Sequence, residues 1–87
     1  MKLIIAIVKD TDDAEVIHQL VNKRHRVTRM ASTGGFLRRG NVTLLIGVDD
    51  DQTQAVIDII NSSCQPPEVG QHKATIFIVN AFHFEQT

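Results

Sequence analysis

Three runs in this chain, Leu3–Val8 (LIIAIV), Leu44–Val48 (LLIGV) and Thr75–Val79 (TIFIV), are rich in β-branched residues and carry no polar–apolar alternation. An antiparallel sheet with water on one side alternates apolar and polar residues along each strand. Strands without that alternation need cover on both faces. With 87 residues there is room for one domain, and such a chain hides only about 60–65% of the surface its unfolded form exposes. Little is left over to cover a second sheet face. The pattern therefore predicts a homo-oligomer that buries sheet faces against each other.

Between the runs the periodicity changes to helical. Leu3–Val8 is the first strand, followed by acidic turn residues. Asp12 with Glu15 has the spacing of a capping box and predicts a helix start. Ile17, Leu20 and Val21 then form an apolar stripe, with Gln19, Asn22 and Lys23 on the wet face, fading near Arg24. Arg26–Ser32 reads as a second strand, Thr33–Asn41 (TGGFLRRGN) as an enlarged hairpin tip, and Val42–Val48 as a third strand. Asp51 with Gln54 repeats the capping-box spacing, and Val56, Ile59 and Ile60 supply the second stripe. That helix must stop before Pro66-Pro67. Gln65–Lys73 is a polar loop, and Ala74–Val79 is the last strand. The order β-α-β-β-α-β over residues 1–87 predicts one α+β, ferredoxin-like domain: a four-stranded antiparallel sheet with two helices on one face.

The net charge of −1 argues against a surface built as a whole for polyanions. Its distribution says more. From Val16 to Val48 there is no Asp or Glu, while Lys23, Arg24, Arg26, Arg29, Arg38 and Arg39, six of the nine basic residues, all fall there. Such a cluster favours an anionic ligand through charge-assisted contacts to phosphate; a solvated basic face balanced by the acids at the helix starts is the plainer alternative. Gly34-Gly35 lies inside the stretch, where consecutive N–H groups can form an anion-binding nest or merely a turn. Phe36 at the hairpin tip is placed either to stack on a planar ring or to anchor the loop on a neighbouring subunit. Arg26, Thr28 and Met30 share one face of the second strand, and Thr43, Leu45 and Gly47 one face of the third. Gly47 leaves room for close approach, or marks a bulge. Asn41 offers a donor and an acceptor for a base edge, or satisfies the turn. Together these residues point to a nucleotide.

Signals for catalysis are thin. His18, His25, His72 and His83 show no metal-ligand spacing, and Cys64 has no second cysteine beside it. Cys64 reads as a small packed side chain. Asp49–Asp51 reads as a helix cap, and no hydrolase nucleophile motif is present. Neither an enzyme activity nor a metal or cofactor is expected. MKLIIAIVKD lacks the features of a signal peptide, and no apolar run approaches the roughly 20 residues of a membrane span. A cytoplasmic protein is expected, with neither membrane nor nucleic acid as partner.

The stretches MKLIIAIVKDTD, RVTRMASTGGFLRRGNVTLLIGVDDD and ATIFIVNAFH resemble the PII-like cyclic di-AMP receptor family, over residues 1–64 and again from about Ala74. The TGGFLRRGN core, with Arg26, Thr28, Asn41 and Gly47 flanking it, is its most specific part. The resemblance implies a PII-like homotrimer of bacterial, cytosolic, non-catalytic signal-transduction subunits, with the ligand in clefts between them. It implies that Phe36 stacks on an adenine, that Arg26 and Thr28 hold the phosphate–sugar ring, and that Gly35, Leu37, Asn41 and Gly47 line the rest. One departure is the short Gln65–Lys73 segment, where the family carries a long, ligand-responsive, partner-facing loop. A second is the FHFEQT terminus, where neither Phe84 nor Gln86 is assigned a cleft role. No downstream protein partner can be named.

Two alternatives remain. A diverged PII-like subunit could bind another adenine nucleotide such as ATP, for which Arg24, Arg38 and Arg39 add charge, or no nucleotide. The same element order also carries RNA-recognition domains, but those place aromatics on the central strands, where this chain has Leu and Ile. An acylphosphatase-like enzyme needs a phosphate-cradling loop after the first strand, and KDTDDAE there is acidic.

Overall fold

The computed structural model of the chain describes residues 1–31 and 40–81. Strand β1 (Lys2–Lys9) leads into helix α1 (Asp13–Asn22), then strands β2 (Val27–Ala31) and β3 (Asn41–Val48). One 3-10 turn (Asp50–Gln52) precedes helix α2 (Thr53–Ser63), and strand β4 (Ala74–Asn80) closes the sequence of elements. The sheet order is β2-β3-β1-β4 with every neighbouring pair antiparallel. This is an α+β fold with a four-stranded antiparallel sheet and two helices, consistent with the ferredoxin-like arrangement expected. Arg26, placed in the second strand on sequence, lies just ahead of it, and Ser32 is outside the described residues.

Strand parity sets the core. Ile4, Ala6 and Val8 of β1 and Val42, Leu44, Ile46 and Val48 of β3 face the helices and are buried. Against them pack Val16 and Leu20 of α1, Val56 and Ile60 of α2, and Cys64 just past the end of α2. Each such aliphatic side chain stabilises the fold by about 1.5–3 kcal/mol on burial. The α1 stripe is rotated relative to the sequence expectation: Val16 and Leu20 are fully buried, whereas Val21 is 56% exposed. Residues i and i+4 face the sheet, which turns i+5 outward. Cys64 is packed as expected, and burial, with the Asp12 carboxylate second, pushes its thiol pKa up.

Neither capping box forms. Asp12 precedes α1 but makes no side-chain cap. Its carboxylate is buried and accepts the backbone N–H of Gln65 at 3.3 Å, tying the start of α1 to the end of α2. Before α2 the 3-10 turn displaces Asp51 from the cap, and Thr53 Oγ1 donates to the Asp49 carbonyl at 3.4 Å. A cap proposed on spacing alone competes with any other donor the tertiary fold brings within reach.

Arg29 also departs from expectation. Odd numbers of β2 face the helices, and Arg29 Nε lies 2.6 Å from Asp13 Oδ2, across the sheet from Thr28 and Met30. Arg29 is therefore a structural cation and leaves the ligand-side cluster. The Asp13 side chain is only 10% exposed, so Arg29→Ala strands a largely desolvated carboxylate. We expect a loss of about 1–2 kcal/mol in chemical denaturation, with ligand affinity unchanged.

The other sheet face carries Leu3, Ile5 and Ile7 of β1, Thr43, Leu45 and Gly47 of β3, Met30 of β2, and Phe77 and Val79 of β4. No helix covers it. Phe77 is 52% exposed, Met30 49% and Val79 46%. The missing alternation thus corresponds to an apolar face that the described helices leave partly exposed.

Candidate functional site

The end of α1 shapes one side of a groove at the end of the sheet, where Val27 and Val48 from the helix side meet Thr28, Leu45 and Gly47 from the open face. The Arg24 N–H donates to the Val21 carbonyl (2.9 Å) and the His25 N–H to the Leu20 carbonyl (3.0 Å). These are the paired bonds of a Schellman motif, with Arg24 at the position usually held by glycine in the left-handed conformation. Arg24 has φ 67°. The motif turns the chain sharply enough that Lys23, Arg24, His25 and Arg26 all line the groove before β2 begins.

The groove has a volume of about 770 Å³. Thr28, Leu45 and Gly47 form its floor, and Met1, Val21, Asp49 and Gln52 complete the rim. In the sheet Thr28 stands opposite Leu45, and Gly47 opposite Leu3. Position 47 lines the groove without contributing a side chain. Arginine and threonine at one edge, an aliphatic floor and a glycine gap suit a ligand with both phosphate and a flat apolar part.

Of the expected site residues, Arg26, Thr28 and Gly47 are brought together. Asn41 is not with them. It lies at the other end of β3, paired with Lys9, six residues from Gly47 and hence about 20 Å away along the strand. There it lines a second depression of about 650 Å³ with Lys9, Gln71, His72 and Lys73. Lys9 Nζ donates to Gln71 Oε1 at 3.0 Å and Lys73 Nζ to the Asn61 carbonyl at 3.3 Å, so the short α2–β4 connection is pinned beside Asn41. Gly35, Phe36 and Leu37, with Arg38 and Arg39, lie outside the described residues.

Sequence reasoning counted Lys23 in the basic cluster but missed His25 as a groove residue. The signal was present in four consecutive basic residues, 23–26, at the foot of a helix. It also missed the residues around Asn41, which come from three separate segments and have no sequence signature. Among the described residues no group of His, Cys, Asp or Glu could hold a metal ion. The central strands β1 and β3 present no aromatic to the open face, unlike the RNA-binding arrangement.

Comparison with known proteins agrees with this fold. A solved structure from Pediococcus pentosaceus ATCC 25745, described as a functionally unknown protein, is 32% identical, with a TM-score of 0.81. The match covers 99% of this chain and 96% of that one, so the two are nearly equal in length and no long insertion separates them. A family model described as cyclic-di-AMP receptor matches residues 1–70. Sharing that pattern over most of its length, the chain belongs to the PII-like cyclic-di-AMP receptor family.

Proposed function

We propose that this chain is a non-catalytic, cytoplasmic signal-transduction subunit that binds cyclic di-AMP in clefts between the protomers of a homotrimer. The observation that carries the reading is the groove at the end of the sheet in which Arg26, Thr28 and Gly47 meet. Arg26 pairs with a phosphate, Thr28 hydrogen-bonds the phosphate–sugar ring, and Phe36, with Gly35 and Leu37, receives an adenine. The separation of Asn41 from Gly47 along one face of β3 supports a site shared between subunits, since one protomer presents its two sets of contacts at opposite ends of a strand. Among the described residues no helix is long and apolar enough to cross a membrane.

The basic run beside Arg26 favours a second reading, an adenine nucleotide with more phosphates such as ATP. Isothermal titration decides between them, with cyclic di-AMP, ATP and cyclic di-GMP as ligands. The proposal expects saturable binding of cyclic di-AMP at one ligand per protomer and little heat from the others. Heat with ATP alone establishes the second reading. Silence with all three removes both.

A further inference from the structure

We infer that Arg24 is a ligand-contacting residue, whose guanidinium meets a phosphate of the bound nucleotide at the mouth of the groove beside Arg26. The inference rests on the nucleotide-binding reading and extends it to a residue whose backbone conformation works against its identity. At φ 67° Arg24 occupies the left-handed region, and no other described non-glycine residue has a positive φ. A Cβ is disfavoured there, and glycine or asparagine is the usual occupant of a Schellman turn. The backbone bonds that close the turn, Arg24 N–H to Val21 and His25 N–H to Leu20, need no side chain. Local structure therefore gives no reason for arginine.

The side chain's surroundings give one. Arg24 lines the groove that holds Arg26, Thr28 and Gly47. It is exposed and makes no ion pair among the described residues, so its five N–H donors are available to a ligand. Strain retained at a groove is a recognised mark of function. The competing explanation is that a cation at the C-terminus of α1 complements the helix dipole. The two differ in what glycine does. If Arg24 serves the helix, Arg24→Gly loses stability; if it serves the ligand, Arg24→Gly relieves strain and loses affinity.

The experiment pairs thermal unfolding without ligand with titration of cyclic di-AMP, for the parent, Arg24→Gly, Arg24→Lys and Arg26→Ala. We expect Arg24→Gly to melt at the parent temperature or about 2–6 °C above it and to bind roughly tenfold more weakly. Arg24→Lys, which keeps the charge and the strained backbone, should melt like the parent and recover most of the affinity. Unchanged affinity in Arg24→Gly while Arg26→Ala loses binding overturns this inference and leaves the nucleotide site standing. A lower melting temperature for Arg24→Gly assigns the residue to the helix end and also overturns it. A parent that binds no cyclic di-AMP removes the site and the inference together.

Discussion

Arg26→Ala is expected to weaken cyclic di-AMP binding about a hundredfold while leaving fold and assembly as they are. The side chain is exposed and stands ahead of β2, so the core does not depend on it. It lines the groove next to Thr28 and Gly47, where a charge-assisted contact to phosphate is worth about 1.5–3 kcal/mol and a two-pronged one lies at the upper end. Titration calorimetry reads the loss, and circular dichroism with light scattering confirms an intact assembly. Parent-like affinity in this variant would place the ligand elsewhere. Arg29→Ala is the internal control: a cation three residues on, facing Asp13 on the opposite side of the sheet, with the reverse pattern of effects.

The second large effect is expected from Phe77→Asp. Phe77 sits on the open face opposite Ile5, half exposed in one copy of the chain, so the isolated protomer loses little by the change. In the proposed trimer the same position is covered. Burying the exposed half of a phenylalanine contributes roughly 2 kcal/mol per site, and burying an unpaired carboxylate in its place costs several kcal/mol. The variant should elute and scatter light as a monomer with parent-like secondary structure. Because the proposed cleft needs two subunits, it should also lose cyclic di-AMP binding, although Phe77 lines neither depression. A parent that is itself monomeric would overturn the assembly, and a monomeric variant that binds normally would overturn the shared cleft.

Much of this was legible in the residues. Strand parity alone separates Arg26, Thr28 and Met30 from Arg29, because side chains alternate across a strand regardless of what packs on them. Counting Arg29 with the ligand-side cations followed charge and ignored that parity. The capping boxes failed for another reason. Asp12 has the right neighbour at the right spacing, yet its carboxylate goes to Gln65 N–H, a donor distant in sequence and adjacent only in the folded chain. Asn41 was singled out for its donor and acceptor, but its neighbours Lys9, Gln71 and Lys73 come from segments distant from it in sequence.

What the sequence by itself determined is the element order, the sheet and the apolar character of both sheet faces, because these follow from the period of apolar residues and from the absence of alternation in three strands. It also carried the family resemblance through TGGFLRRGN and its flanks. What only the tertiary structure decided is which charged groups meet. A charge's partners depend on distances of a few ångströms between segments that the chain order leaves unspecified. Packing of α1 against the sheet sets where its last turn points, and that turn puts Arg24 in a left-handed conformation at the edge of the groove.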